Sequence, residues 1–598
     1  MMNTQEAVKS APDLLIKPLE NNGKVVLRTS NLSFSYPDVE VKAIDNVNFE
    51  VKQGEFVLLC GSSGSGKTTL AKCLNGIIPH LSNGSMYGDV FIDGVNTTDA
   101  EIYELSSRIG MVFQNPEDQI FSTRVSDEVA LGVECQGHKH DDIVQRVNYA
   151  MDKLRITDIA HRLTFSLSGG QRQKVSIASC LAVLPSIIVL DDPTTDLDPI
   201  SKQEVMDILE ELKNEINMTF FVIEHDLTDL VEFTDHMLVM HEGRILYDGD
   251  PGEILYEHYD ELDSIGIRIP DHVRLAKYLM DQGYTYKVKH PLRQSEVIEF
   301  TEQVLAAHDN VFPKLTYRDY TRRSDEKVAQ VQDVTFQYPA TAAPQLEHVS
   351  FDVYKGEFLA IIGHNGSGKT TVMKNMLGLL KPCSGDVTIN GLNTKNTEVS
   401  RLILDIGYVF QNPDNQLFCN TVREEVGFGL ENSGADPKVI QENVDRVLDI
   451  VGLKDEQDAH PFSLSRGERQ RLAVATMLVS NPKIIMLDEP TTGLDERDLH
   501  GILSLMEELI EFHDGTVIMV THDMEVVARY ATRIIVMGGG KLILDDTPDE
   551  IFKNHYDELS SLKLKPTIIA SLSRRIHSDK MPYIPYWKFF ESQLKSQR

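Results

Sequence analysis

The sequence predicts two tandem α/β domains, each built on a parallel sheet with a glycine-rich loop at the end of its central strand. Three observations carry that prediction. The phrase FQNPEDQIF at 113–121 returns as FQNPDNQLF at 410–418. GSSGSGKTT at 61–69 returns as GHNGSGKTT at 363–371, an offset of 302. Each glycine-rich stretch follows a short apolar run, EFVLLC or EFLAII, and precedes a run of helical character, TTLAKCL or TTVMKNML. That is the order strand, loop, helix.

Duplication runs through both halves and fixes the domain limits. FSLSGGQRQ at 165 returns as FSLSRGERQ at 462, and LDDPTTDLD at 190 as LDEPTTGLD at 487, both at an offset of 297. The five-residue change in offset falls between Gly76 and Gly88, where GIIPHLSNGSMYGD matches the shorter GLLKPCSGD, as expected of a surface loop that tolerates insertion. HYDEL at 258 recurs at 555, so the repeat extends to the C-terminal end of each unit. We expect an N-terminal extension over 1–23, a first domain over 24–283, a linker with one short helix over 284–325, a second domain over 326–570 and a basic, aromatic tail over 571–598. The tail is expected to be a packed terminal extension, with contact to a membrane surface or a partner as the alternative.

Composition limits the function classes. At 598 residues the chain exceeds what one hydrophobic core serves. Its 41% of hydrophobic and 25% of charged residues are a folded, globular balance. Lys and Arg number 58 against 91 Asp and Glu, a formal charge of −33, which disfavours a nucleic-acid groove as the main surface. The six cysteines (Cys60, Cys73, Cys135, Cys180, Cys383, Cys419) show neither paired metal-ligand spacing nor the density of a disulfide scaffold. A reducing interior is expected, and no zinc site. The N-terminal MMNTQEAVKSAPDLLIKPLE lacks the basic run and apolar core of a secretory signal. No apolar run approaches the ~18 residues of a membrane span, so any membrane role would come through a partner.

The glycine-rich loops point to phosphate. Gly61, Gly64 and Gly66 would let backbone N–H groups turn toward phosphate oxygens, Lys67 would reach the outer ones and Thr68 would hold magnesium, with Ser62, Ser63, Ser65 and Thr69 completing the cradle. Gly363, His364, Asn365, Gly366, Ser367, Gly368, Lys369, Thr370 and Thr371 repeat the arrangement. A chance glycine–lysine match competes with one loose copy; two full matches in the same setting remove it. The apolar runs SIIVLDD and KIIMLDE end in acids that put Asp191 and Asp488 beside the loops, where each would orient magnesium. Glu489, next in sequence, suits an attacking water; Asp192 is one methylene shorter. His225 in FVIEHD and His522 in IMVTHD would sense the outer phosphate. A lone histidine there would pass for structural, but both recur at the offset of the acids.

In this order the motifs resemble those of the ATP-binding-cassette ATPases over most of both halves, with LSGGQ at 167–171 as the specific element. The resemblance implies two P-loop NTPase domains, each with a RecA-like core, an antiparallel β subdomain and a helical signature subdomain. It implies that Tyr36 and Tyr338 stack on adenine, and that Gln114 and Gln411 serve the magnesium and the water. It further implies that the two domains pair head to tail around two ATP molecules. The loop from Gly363, with Asp488, Glu489 and His522, would then face Ser168, Gly169, Gly170 and Gln171. The loop from Gly61, with Asp191, Asp192 and His225, would face Ser465, Arg466, Gly467 and Glu468, where arginine and glutamate replace glycine and glutamine. We expect the Glu489 site to do most of the hydrolysis and the Asp192 site to bind ATP and turn over slowly or not at all.

The two FQNP phrases look like those of the energy-coupling-factor transport ATPases, including cobalt and vitamin uptake relatives. NP favours a turn, the acids could cap the next one, and Ile120, Phe121, Leu417 and Phe418 would present apolar surface for a coupling helix. Core packing is the competing account of those side chains. The implied protein is a peripheral subunit on the cytoplasmic face. It would work with a transmembrane coupling protein and a small substrate-binding membrane protein, without direct contact to cargo or nucleic acid. A soluble two-cassette ATPase acting on ribosomes is disfavoured by the acidic balance and the weak connector, and a sugar-importer ATPase by two intact phosphate loops.

Overall fold

The computed structural model describes residues 23–37, 41–62, 64–194, 197–320, 324–339, 343–491, 496–513 and 515–597. Ser63 and nearly all of the 1–23 extension lie outside these. The chain forms two compact units that are discontinuous in sequence. Unit 1 takes the residues through Val273 together with Lys287–Arg293, and unit 2 takes Arg274–Tyr286 together with Gln294 onward.

Unit 1 contains β1 (Val25–Ser35), β2 (Ile44–Lys52), β3 (Phe56–Gly61), β4 (Ser85–Ile92), β5 (Val95–Asn96), β6 (Ile109–Val112), β7 (Ile187–Asp191), β8 (Thr219–Ile223), β9 (His236–His241) and β10 (Arg244–Gly249). They make two sheets, in the orders β2-β1-β4-β5 and β10-β9-β3-β8-β7-β6. The second is parallel except for its β9–β10 edge. Every residue of β3, β7 and β8 is buried, as expected of strands covered on both faces, whereas β2 alternates buried and exposed like a strand with one solvated face. Helices Val125–Cys135, His140–Lys153 and Gly169–Val183 form the helical part of the unit.

Unit 2 repeats the plan with β11 (Lys327–Phe336), β12 (Leu346–Tyr354), β13 (Phe358–Gly363), β14 (Ser384–Ile389), β15 (Leu392–Asn393), β16 (Ile406–Val409), β17 (Ile484–Asp488), β18 (Thr516–Val520), β19 (Arg533–Gly538) and β20 (Lys541–Asp546). The sheet orders are β12-β11-β14-β15 and β16-β17-β18-β13-β19-β20. Its helical part, Val422–Asn432, Pro437–Ile450 and Arg466–Leu478, has its own core around Val426, Val444, Leu448 and Leu472. Both units are therefore α/β domains with a mixed sheet and a helical subdomain.

The linker helix is Gln294–Ala307, and the tail folds into unit 2 through helices Ile568–Arg575 and Trp587–Gln597. Phe590 is fully buried, its ring 5.0 Å from Tyr278 and 5.3 Å from Trp587. Lys580 donates to the carbonyl of Leu305 at 2.9 Å, tying tail to linker. Apolar burial of this kind is worth roughly 1.5–3 kcal/mol for each large side chain, which explains why the aromatic tail packs inward. Among the described residues no helix is long and apolar enough to cross a membrane.

Candidate functional site

Each parallel sheet carries its glycine-rich loop at the C-terminal end of the central strand. At Gly61 a Cβ would lie 2.2 Å from the carbonyl oxygen of Met240 on β9, so the backbone of β3 and β9 can meet there only without a side chain. At Gly66 the reason is double: φ is +102° and a Cβ would sit 2.3 Å from the Ala43 carbonyl. Unit 2 shows the same contact at Gly363, 2.4 Å from the Met537 carbonyl. The lysines fold over their loops. Lys67 Nζ donates to Gly61 O and Ser62 O at 2.8 and 2.9 Å; Lys369 Nζ donates to Gly363 O and His364 O at 2.7 and 3.2 Å. Both are buried, so a cation is held where phosphate oxygens would approach. Tyr36 and Tyr338 reach the same loops through their hydroxyls, 3.2 Å from Thr69 Oγ1 and 3.4 Å from Thr371 Oγ1.

The acid pairs end β7 and β17. Asp191, Asp192, Asp488 and Glu489 are all buried. The second acid of each pair has left-handed backbone, φ +47° at Asp192 and +51° at Glu489, and its N–H donates to the neighbouring strand at Ile223 O (2.9 Å) and Val520 O (2.8 Å). The same turn thus sets the backbone of both residues, and the units differ in what the side chains meet. His522 Nδ1 is in direct ion-pair contact with Glu489 Oε2, whereas His225 Nε2 stands 3.4 Å from Asp192 Oδ2. Burial pushes Glu489 up, but the charge and hydrogen bond of His522 outweigh it and hold the carboxyl below its ordinary range. Burial pulls His522 down, and the charge of Glu489 overrides that to raise it.

The first acids differ too. Asp488 accepts from Thr370 Oγ1 at 3.3 Å and from the Tyr408 hydroxyl at 3.0 Å. Met111 occupies the place of Tyr408 in unit 1. There burial, and then the charge of Asp192, push Asp191 up to about 6. Asp191 Oδ1 is buried without a hydrogen-bond partner among the described residues. An orphaned carboxylate oxygen beside the Thr68 hydroxyl suits a small hard cation that completes its shell with phosphate oxygens and water. Among the described residues no group of three or more His, Cys, Asp or Glu forms a metal cage of its own. The donor set therefore fits magnesium arriving with a nucleotide.

Both signature segments start helices through reciprocal caps. Ser168 Oγ accepts from Gln171 N at 3.3 Å, and Gln171 Oε1 accepts from Ser168 N at 3.2 Å. Ser465 and Glu468 make the same pair, with Glu468 Oε2 accepting from Ser465 N at 2.8 Å. Glu468 thus occupies the capping role of Gln171, which the substitution pattern alone did not suggest. Gly170 packs on Ser201, whose Oγ would be 2.5 Å from an added Cβ.

The repeated phrase has a structural account that its sequence only partly foretold. Asn115 and Asn412 cap the short turn, accepting from Glu117 N at 3.1 Å and Asp414 N at 3.0 Å. The acids do not cap it; Glu117 and Asp414 instead pair with Arg172 and Arg469 of the signature helices at 2.8 and 2.7 Å. Buried Glu128 accepts from Phe121 N and Ser122 N at 3.0 and 2.7 Å, and buried Glu425 from Phe418 N and Cys419 N at 2.8 and 2.7 Å. These glutamates, missed in the sequence, hold the phrase so that Phe121 is 80% exposed and Phe418 62%. Leu417 is buried in the helical core and Ile120 is half-buried, so the expected apolar surface is narrower than four residues. Gln114 is half-buried and Gln411 exposed at the start of the phrase.

The ABC transporter family model matches residues 44–195 and 346–492. An ABC transporter ATP-binding protein of Methanosarcina acetivorans is 38% identical over 558 residues, covering 92% of this chain and 90% of its own. YkoD of Bacillus subtilis, named for HMP/thiamine import, is 32% identical over 574 residues, covering 96% of this chain and 98% of its own. The solved structure of cbiO1 from Clostridium perfringens, described as part of the ABC transporter complex cbiONQ, is 33% identical and covers 40% of this chain and 96% of its own, with a TM-score of 0.37. A family match in each half and relatives aligned along nearly the whole chain lead to one conclusion: the protein belongs to the ABC transporter family, as an ATP-hydrolysing subunit that carries its ATPase domain twice.

Proposed function

We propose that the chain is the ATPase of an energy-coupling-factor type importer, taking up a vitamin, a vitamin precursor or a metal ion. It would lie on the cytoplasmic face of the membrane, bound to a transmembrane coupling subunit and a small substrate-binding membrane subunit. The observation that carries this reading is the exposed pair Phe121 and Phe418, each held out at the end of the same phrase by a buried glutamate. Aromatics so exposed, built twice by the same device and in unit 2 joined by the exposed ring of Phe428 4.8 Å from Phe418, suit apolar helices of a partner. The import role in the name of YkoD supports the same class.

In this reading the cassettes are 24–283 and 326–570, and they pair within the chain around two ATP molecules. Tyr36 and Tyr338 stack on adenine, and the glycine-rich loops with Lys67 and Lys369 bind the phosphates. Thr68, Gln114 and Asp191 would hold one magnesium ion, and Thr370, Gln411 and Asp488 the other. The ion supplies charge neutralisation at the phosphates. Glu489 orients a water and takes up its proton as the water oxygen bonds to the terminal phosphorus and the bond to the ADP oxygen breaks. His522 holds the Glu489 carboxylate in place and contacts the phosphate. This site pairs with the intact Ser168–Gln171 signature and does most of the hydrolysis. Asp192, shorter and farther from its histidine, faces the segment altered at Arg466 and Glu468 and turns over slowly.

Purification of the tagged chain from its native membranes in mild detergent tests the assignment. A multi-span coupling protein and a small multi-span binder should elute with it, and recovery with ribosomes instead would refute the importer reading. For the unequal sites, Glu489→Gln should abolish most turnover and Asp192→Asn little of it; equal losses would sink the asymmetry.

A further inference from the structure

Behind the unit 1 acids lies a second buried carboxylate to which the sequence reading gave no role. Glu224 precedes His225 and is 2% exposed. One of its oxygens, Oε1, accepts from the Thr194 N–H at 3.1 Å and from the Thr194 hydroxyl; the other, Oε2, accepts from the His225 N–H at 3.2 Å. Thr194 begins the loop that leaves the acid pair, and His225 opens the segment after β8. A single side chain thus bridges the segments that follow β7 and β8. At the corresponding position unit 2 has Thr521, whose hydroxyl accepts from Asp523 N at 3.0 Å and so serves its own segment.

We propose that Glu224 is a positioning residue that clamps the His225 segment to the Thr194 loop, so that the two respond to nucleotide as one piece in unit 1 and separately in unit 2. The inference rests on the reading of this cluster as an ATP site. A buried carboxylate with three donors is costly to leave half satisfied, so the donors are held together. The surroundings of Glu224 are charged on several sides. Lys202 pairs with Asp226 at 2.7 Å and with Asp229 at 3.2 Å, and Asp192 and Asp226 also bear on the carboxylate. Burial and the charge of Asp192 push Glu224 up to about 7, with Lys202 and the Thr194 bond opposing. In unit 2 Leu499 stands in the place of Lys202 and Val526 in the place of Asp229, while Asp226 recurs as Asp523, so what is particular to unit 1 is Glu224 with its lysine.

Amide-resolved hydrogen exchange on the full chain, with and without MgATP, tests the clamp in Glu224→Thr and Glu224→Gln. Glutamine keeps a carbonyl oxygen for Thr194 N–H but turns an NH2 toward His225 N–H. Glu224→Gln should therefore leave Thr194 protected and speed His225 exchange roughly tenfold, while Glu224→Thr should speed both by a similar factor. In the native chain MgATP should change exchange at Thr194 and His225 by the same factor; in Glu224→Thr the two responses should separate, as at Thr491 and His522. Unchanged exchange at both amides in Glu224→Thr, or joint MgATP responses that persist in it, would overturn the clamp. If neither amide responds to MgATP in the native chain, the ATP-site reading fails, and basal exchange in the two variants still decides whether the clamp exists.

Discussion

Replacing Asp192 with glutamate gives the sharpest test of why the two sites should differ. The backbones of Asp192 and Glu489 match in φ, +47° and +51°, and in the strand contact each N–H makes. What differs is one methylene, a reach of about 1.5 Å. His225 now stands 3.4 Å from Asp192, about 0.6 Å beyond a charge-assisted hydrogen bond of ~2.8 Å. A misplacement near 1 Å at a reacting group costs up to about 100-fold in rate, equivalent to about 2.7 kcal/mol. Asp192→Glu, measured as steady-state phosphate release in a Glu489→Gln chain, should therefore raise turnover by about 10- to 100-fold. Two features limit the gain. The charge at 192 already bears on Glu224, so Asp192→Glu with Glu224→Thr should exceed Asp192→Glu alone. The facing segment with Arg466 also stays unchanged. Turnover within about twofold of Glu489→Gln alone, with either residue at 224, would show that reach is not what limits this site.

Two neighbouring glycines should respond very differently to alanine. At Gly61 a Cβ would meet the Met240 carbonyl at 2.2 Å. Gly61→Ala should therefore lower the thermal midpoint by the equivalent of about 1–3 kcal/mol and abolish binding of a fluorescent ATP analogue at unit 1. At Gly64 φ is +73° and a Cβ would have nothing within 4 Å. Alanine there should cost only the left-handed penalty of about 1–2 kcal/mol and leave part of the binding. A pH test lies at the far end of the same sheet. His236 bonds Asp248 at 2.5 Å and lies 3.8 Å from Glu55; the hydrogen bond to Asp248, and then the neighbouring Glu55 carboxylate, raise it to about 9 against burial. Its stabilising contribution is complete below about 6.5 and lost as pH rises through about 9. With solvent screening it amounts to under about 1 kcal/mol, and His236→Gln should flatten unit 1 urea midpoints across that window. An unchanged slope would remove the ion pairs from the account.

What could be read in the sequence was whatever depends on local pattern. The apolar runs EFVLLC and SIIVLDD become the fully buried β3 and β7 because buried parallel strands have no polar face. Glycines, lysines and acids at matching offsets fall into matching geometry because spacing along a strand-loop-helix unit is itself geometry. The remainder depends on contacts between distant residues. Nothing near Phe121 announces that Glu128 will hold its backbone, and Met111 beside Asp191 reads as an ordinary strand residue until Tyr408 is seen bonded to Asp488. Glu224 against Thr521 was visible as a single difference, but only the fold brings Thr194 to it. Glu468, which in the sequence is simply a glutamate in place of glutamine, takes part in a helix cap that only the fold reveals.

The way the chain alternates between its units bears on whether its halves can be separated. Residues 274–286 pack with the second unit, 287–293 with the first, and the following helix Gln294–Ala307 again with the second. No single break respects both. Fission before Arg274 takes Lys287–Arg293 from the first product, and fission after Ala307 leaves Val297 and Phe300, buried in the intact chain, stranded on the wrong polypeptide. Expressing the halves separately from either break should therefore leave each product without segments that complete it in the intact chain.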